Sequence, residues 1–375
     1  MLVDYEFSDL AKMVNVNSYT KNKAGVDEVA AIYSQWMSEL GFAVKVHQRE
    51  QIGNHVHYVS SIRAGKKVLL LGHFDTVFPP NTFEGFNEDD DWVYGPGVCD
   101  MKGGNLVALE ALRSVFNTHG EIANIDVLMV SDEETGSDDS KLLTEEIARQ
   151  YDLCLVFEAA GKAQEIVIAR KGIATFTIHI QGKAAHAGNH YQDGVNANLA
   201  AAHMVVSLSS LTDLARGSTV NAGKITGGIG ANTISPHAEI KVEARFTDSS
   251  EKQRVLEGIE EVANAPRVKG VTVNLSGGLQ RDVMQTSKEQ VSLIQTFEAI
   301  TEQSFKLERR GGVSDANVVS SVGTPTLDGF GPFGDGDHTI NERACKKSFV
   351  NRIALVSKIL HAYNGIQKLP ESHVA

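Results

Sequence analysis

Apolar residues follow two rhythms along this chain. In its first half, short unbroken apolar runs alternate with stretches whose apolar positions recur every three or four residues. Residues 67–71, 125–130 and 153–157 read as buried strands, and 103–116 reads as a helix with Leu106, Leu109, Ala111 and Leu112 on its apolar face. Strand, helix and strand in turn predict a largely parallel sheet. Near residue 171 the rhythm changes. IATFTIHIQ alternates, 193–211 is helical, STVNAGKITGG and HAEIKVEARF are strands, 251–264 is a helix, and VTVNL closes the set. That order, βαββαβ, is the ferredoxin-like sandwich. Beyond residue 280 come a helix in GGVSDANVVSSV, a strand in TPTLDGF and a last helix over 347–363. The sequence therefore predicts an α/β domain built from 1–171 and 281–375, with a second domain, 172–280, inserted into it.

Size and composition agree with that division. A chain of 375 residues exceeds what one core usually organises, and 42% apolar residues supply ordinary cores. The net charge of -12, with no basic block or stripe, argues against a nucleic-acid partner. Cys99, Cys154 and Cys345 are too scattered for a disulfide framework or a thiolate metal site, which fits a reducing compartment. Asp4, Glu6 and Asp9 stand where a signal peptide needs a basic start and an apolar run, and no apolar stretch reaches membrane-spanning length. A cytoplasmic protein without a membrane partner is the expectation.

Candidate chemistry gathers where the strands end. His73 and Asp75 follow VLLLG, Asp100 lies in GPGVCDMKGG before a helix, and Asp132, Glu133 and Glu134 follow IDVLMV. Glu158 follows LCLVF, and His338 follows TLDGFGPFGDGD. Ligands of open α/β sheets bind at the carboxyl ends of the strands, and five segments bring acids or imidazoles to that edge. One acid past a strand is ordinarily a helix cap or a solvated turn, the role left to Asp132. A gathered set repels itself unless a cation neutralises it. Two histidines with carboxylates and no cysteine suit Zn²⁺, Co²⁺ or Mn²⁺. Carboxylate-rich sites of this kind often hold two ions, with one aspartate bridging them and a bound water serving as nucleophile. Asp100 is the natural bridge. Of the adjacent pair, one of Glu133 and Glu134 can bind metal while the other serves as general base. Asp75 can accept the second N–H of His73 and fix its tautomer.

These segments carry a resemblance. GHFDTV, YGPGVCDMKGG, SDEETGS, VFEAA, GKAAHAG and DHTINE, in this order, resemble the co-catalytic zinc family of glutamate carboxypeptidase, acetylornithine deacetylase and succinyl-diaminopimelate desuccinylase. RKGIATFTIHIQGKAAHAGNHYQDGVNA and ERRGGVSDA are most similar to the glutamate carboxypeptidase branch. The resemblance implies two zinc ions per chain, His73 and Glu158 on one, Glu134 and His338 on the other, and Asp100 bridging. It further implies Glu133 as base, Asp75 as orienter, and an inserted domain that serves as lid and dimer interface. His186 resembles the lid histidine that reaches the partner subunit's active site and stabilises the oxyanion. Arg245 resembles the grip on the substrate's terminal carboxylate, and Asn232 a companion contact. Without the resemblance, His186 reads as a surface histidine and Arg245 as part of a solvated strand face with Glu239, Lys241 and Glu243.

The expectation is thus a homodimeric dizinc hydrolase that cleaves an amide bond next to a free carboxylate, by attack of a metal-bound hydroxide. The alternatives are an N-acyl-amino-acid deacylase or a di- or tripeptidase of the same family, or a non-catalytic metal-binding relative. His55, His57, His119, His179, His190, His203 and His237 lack an acidic neighbour at ligand spacing and read as surface or core residues. GPGVCDMKGG and GGIGAN match no phosphate-loop pattern, so nucleotide binding is rejected.

Overall fold

The computed structural model describes residues 5–365; Asp4 of the leader argument lies outside them. Two compact units divide the chain. The smaller comprises Arg170–Gln285 with Arg310–Val313, and the larger holds the rest.

In the larger unit a six-stranded sheet runs in the order Ala43–His47, His55–Val59, Ile125–Val130, Val68–His73, Leu153–Val156, Thr326–Leu327. The last four strands pair in parallel. The two at the other edge form an antiparallel hairpin that continues onto Ile125–Val130. Every residue of Val68–His73 and Leu153–Val156 is buried, which is why these strands read as unbroken apolar runs rather than alternations. Ile125–Val130 coincides with its expected span, whereas the strand expected over 324–330 is only Thr326–Leu327. Gly329, at φ 79°, turns the chain out of the sheet just beyond it. The edge hairpin and the first two helices, Ser8–Val14 and Lys23–Glu39, are additions to the elements that the apolar rhythm predicts. The hairpin's outermost strand, Ala43–His47, is half-exposed to exposed throughout and so lacks a clean alternation.

Helix Lys102–His119 packs against helix Lys346–Tyr363 and crosses the sheet closely. A Cβ at Gly104 would lie 1.9 Å from the Phe157 carbonyl oxygen, so only glycine lets this helix approach the strand end that precedes Glu158. A small antiparallel sheet, Gly334–Asp335, Arg343–Cys345, Trp92–Tyr94 and Asn87–Glu88, joins the segment after Asp335 to the loop that ends at Asp100.

The smaller unit is a four-stranded antiparallel sheet ordered Thr219–Gly227, His237–Phe246, Gly172–Gln181, Thr272–Arg281. With helices Ala197–Ser209 and Ser249–Asn264 between its strands, the order is βαββαβ, as the sequence rhythm predicted. Ala238, Ile240, Val242, Ala244 and Phe246 are buried with Met204, Leu208, Val255 and Ile259 of the helices. The alternate face of the same strand carries Glu239, Lys241, Glu243 and Arg245. No described helix is long and apolar enough to cross a membrane.

Candidate metal centre

Each acid or imidazole of the centre leaves a strand end or a turn braced from behind. His73 closes the strand Val68–His73, and its carbonyl accepts a 2.7 Å hydrogen bond from the buried Asn105 amide. Its Nδ1 lies 3.0 Å from the Asp75 carbonyl oxygen and 3.3 Å from Asp75 Oδ1, which directs Nε2 toward the other acids. Asp75 Oδ2 in turn accepts from Thr20 Oγ1 at 2.7 Å and from the Glu134 N–H at 3.3 Å. Past Ile125–Val130 the chain enters the 3₁₀ turn Glu133–Thr135, which carries Glu133 and Glu134 as neighbours. Asp132 takes the ordinary role left to it: its Oδ2 accepts from the Asp139 and Ser140 amides at the start of helix Ser140–Ala148. His338 sits in a loop with φ 62°, a left-handed conformation uncommon for a residue other than glycine.

The side chains meet through Asp100. His73 Nε2 is 3.2 Å from Asp100 Oδ1 and 3.8 Å from Glu158 Oε1. On the other side, His338 Nε2 is 3.3 Å from Asp100 Oδ2 and 3.2 Å from Glu134 Oε2. The five residues thus form two groups, each holding one oxygen of the same carboxylate. A tetrahedral ion with bonds of about 2.1 Å sets its ligand atoms roughly 3.4 Å apart, so these separations suit metal ligands. One ligand atom each from His73, Asp100 and Glu134 lies within 4.8 Å of the others.

The electrostatics ask for positive charge. Burial, and then the Asp100 charge, push Glu134 up to about 8, and the same two causes lift Glu158 well above the carboxylate range. Burial also opposes the Asp100 charge, but hydrogen bonds from His338 and His73 outweigh it and hold that carboxyl well below its usual range. His338 is lifted to about 11 by its hydrogen bonds to Asp100 and Glu134. Without metal, the raised proton affinities of the His338 imidazole and the Glu134 and Glu158 carboxyls all act to relieve the excess of negative charge. The donor set fits a divalent ion of the Zn²⁺ type.

Three other residues singled out in the sequence belong to the smaller unit. His186 is exposed, and its Nδ1 accepts from the Gly188 and Asn189 amides at 3.2 and 3.1 Å. With Nδ1 taken up as an acceptor, Nε2 is the nitrogen left to carry the ring proton, so the outer nitrogen is a hydrogen-bond donor. Asn232 lies beside it: the Ala187 N–H donates to the Asn232 carbonyl at 2.9 Å, and His186 bridges to Thr233. Arg245 is half-buried, with Nε 2.8 Å from Glu243 Oε1 and Nη1 donating to the Gly311 carbonyl at 2.8 Å. It is therefore more ordered than a solvated strand face requires.

Sequence spacing missed three groups. His55 is fully buried, accepts from the Ser131 N–H at Nδ1, and places Nε2 2.9 Å from Asp139, 84 residues away. Glu342 and Lys102 are both buried beneath the loop that carries Asp100. Burial first of all pushes Glu342 up to about 7 and Lys102 down to about 7. Glu342 closes the DHTINE motif and had that signal; Lys102, in an ordinary helix start, had none.

Comparison with known proteins joins these observations. The profile of the peptidase family M20/M25/M40 matches residues 69–362. Carboxypeptidase G2 of Pseudomonas sp. (strain RS-16) is 28% identical over 341 residues, 88% of this chain and 82% of its own. Acetylornithine deacetylase of Pectobacterium carotovorum subsp. carotovorum (strain PC1) is 32% identical over 228 residues, 56% of this chain and 58% of its own. Among solved structures, a tripeptidase of Staphylococcus aureus superposes with a TM-score of 0.79 at 22% identity, covering 96% of this chain and 97% of that one, which shows the shared fold.

Metal removal should expose the charge problem. In the folded metal-free protein burial and the Asp100 charge push Glu134 up to about 8, whereas the unfolded carboxyl titrates near its ordinary value of 4.5. The folded state binds more protons across that window, so the contribution of this group to stability falls as pH rises through it. His338 acts in the same direction: its contribution is complete below 6.5 and is lost as pH climbs toward about 11. A divalent ion replaces those protons, so Zn²⁺ should raise the Tm of chelator-treated protein more at about pH 8 than at about pH 5.5. Paired thermal melts at the two pH values check this; an increment independent of pH would count against the cluster as the binding site.

Proposed function

Because this chain belongs to the peptidase family M20/M25/M40, whose members are metal-dependent hydrolases, we propose that it cleaves an amide or peptide bond next to a free carboxylate, with two divalent ions per chain. The observation that carries this reading is the division of Asp100, Oδ1 toward His73 and Oδ2 toward His338, which gives each ion its own histidine and glutamate. In it, His73, Glu158 and Asp100 would hold one ion, and Glu134, His338 and Asp100 the other. Zn²⁺ is the metal proposed, with Co²⁺ or Mn²⁺ able to substitute. Bound there, the ions would polarise the scissile carbonyl and acidify a water.

The remaining work falls to the chain's own groups. Glu133 shares its turn with Glu134, and its charge raises the proton affinity of both Glu134 and Glu158, so its carboxylate lies near the ligands. As general base it would take a proton from the attacking water and deliver it to the leaving nitrogen. Asp75 holds the His73 ring by its Nδ1 side. Arg245 would pair with the substrate carboxylate, for which a planar fork of donors is suited, and Asn232 would lie alongside. His186, with its proton on Nε2, would donate to the developing oxyanion of a partner subunit, and the smaller unit would serve as lid and dimer interface. The name of carboxypeptidase G2 favours release of a C-terminal residue over N-deacylation. A screen of C-terminal release against N-acyl-amino-acid cleavage, with Zn²⁺, Co²⁺ or Mn²⁺ supplied, decides between the two.

Elemental analysis of metal-loaded protein should find two ions per chain; saturation at one would remove the bridged arrangement. Glu133→Gln should keep both ions while kcat falls by a factor of about 10² or more, whereas Glu134→Gln should lose metal affinity. Near-normal turnover of Glu133→Gln would assign the base elsewhere. Arg245→Ala should cost about 2–5 kcal/mol in kcat/KM on free-acid substrates and much less on their carboxyl-amidated forms. Equal losses on both would make Arg245 structural. Finally, mixing the two inactive variants His186→Ala and Glu133→Gln under subunit exchange should restore activity, since one site of the heterodimer regains both groups. No recovery, with exchange verified by mass spectrometry, would place His186 outside the partner's chemistry.

A further inference from the structure

Glu342 has no part in the chemistry described so far, yet it is 1% exposed and lies four residues beyond His338. Its carboxylate collects three backbone N–H groups from one short loop. Oε1 accepts from Cys99 at 2.9 Å and from Asp100 at 3.0 Å, and Oε2 accepts from Gly97 at 3.1 Å. The register explains why it arrives there. Arg343–Cys345 pairs antiparallel with Trp92–Tyr94, Arg343 opposite Tyr94, so the residue before Arg343 faces the loop that begins at Gly95. The Gly95 N–H closes the set by donating to the Glu342 carbonyl at 3.4 Å.

The loop is shaped to be held in this way. Gly97 has φ 85°, a conformation that lets successive N–H groups converge on one anion. Behind it, a Cβ at Gly334 would lie 2.6 Å from Cys99 Sγ, so the next segment closes over the loop without room to spare. Lys102, one turn further, is also fully buried, but its Nζ donates to the Met13 and Val16 carbonyls at 3.0 Å each. What Glu342 directly binds is therefore backbone, and the last amide it holds belongs to Asp100 itself.

We propose that Glu342 is a positioning residue of the metal centre: by clamping the Gly97, Cys99 and Asp100 amides, it presents the Asp100 carboxylate edge-on between His73 and His338 and ties the Asp100 loop to the His338 loop. The proposal rests on the reading of Asp100 as the shared ligand. An amino acid that must give one oxygen to each of two ions tolerates little rotation, and buried backbone donors aimed at one fixed carboxyl group are a rigid means of preventing it. Glutamate is needed for its two acceptor oxygens as well as for its length. Glutamine keeps the shape but turns one oxygen into an NH₂ group, which must then face an N–H donor.

The test uses the full chain, with Zn²⁺ and Co²⁺ as probes. Metal-free Glu342→Gln should fold, as judged by circular dichroism and its melting curve. Its affinity for Zn²⁺, measured by competition with a chromophoric chelator, should fall about 10–100-fold, as for other groups that orient ligands. The visible absorption of bound Co²⁺ should shift in position or intensity, because it reports coordination geometry. At saturating metal, kcat should stay depressed with KM little changed. A role confined to folding would lower the melting temperature of the metal-free protein and leave the Co²⁺ spectrum of the folded fraction as in the wild type, and that result would overturn the proposal. So would Zn²⁺ affinity within about twofold of the wild type. If Glu342→Gln does not fold, Glu342→Asp, which keeps the charge on a shorter arm, must show the same loss of affinity and the same spectral change; a wild-type spectrum there overturns the proposal. Wild-type protein that bound no divalent ion would instead remove the reading of the centre on which Glu342 depends.

Discussion

Carboxylates that face one another with too little positive charge between them are the constraint on which this molecule turns. Asp100, Glu134 and Glu158 converge at the carboxyl edge of a parallel sheet, where burial and the Asp100 charge raise the cost of ionising both glutamates. Such a cluster cannot arise by drift in a hydrophobic core, because it destabilises the fold unless something neutralises it. In the metal-free chain the acids around them, acting against burial, raise the proton affinity of the His73 and His338 imidazoles. Since the same nitrogens are the groups that a divalent ion would claim, ion and proton compete for one set of atoms.

The scaffold beneath the cluster is built to resist that repulsion. Asn105 holds the His73 carbonyl and Asp75 accepts from the Glu134 amide, so the segments of two candidate ligands are tied through main-chain atoms, while the Thr20 hydroxyl holds the Asp75 carboxylate. His55, buried and paired with Asp139, holds the Ser131 amide just before the turn of Glu133 and Glu134. Glu342 does the same for Asp100. The common device is a buried side chain bonded to the backbone behind a ligand. It fixes direction without competing for the ligand's own atoms.

The smaller unit follows a different logic. Its sheet buries one face against two helices and leaves the other to polar side chains, so Arg245 owes its position to the period of two along His237–Phe246. His186 owes its tautomer to two loop amides rather than to a neighbouring acid. Both are directed by local backbone geometry. For this reason they resemble ordinary surface residues when the chain is read as a string.

The sequence by itself determined the elements and the kind of chemistry. Unbroken apolar runs marked residues 67–71, 125–130 and 153–157, which the structure forms as Val68–His73, Ile125–Val130 and Leu153–Val156, alternation marked His237–Phe246, and acids after strand ends pointed to one edge. These signals are local, carried by residues a few positions apart. The edge hairpin, the two-residue strand Thr326–Leu327 and the left-handed turn at His338 were not legible, because pairing and loop closure rather than side-chain period decide them. Only the tertiary structure decided that Asp100 turns one oxygen to His73 and the other to His338, since those contacts join positions 27 and 238 residues apart. It likewise decided that His55 meets Asp139 and that Glu342 meets the Gly97–Asp100 backbone, 84 and more than 240 residues away. Spacing along a chain cannot encode a hydrogen bond whose two ends are brought together by the packing of the whole domain.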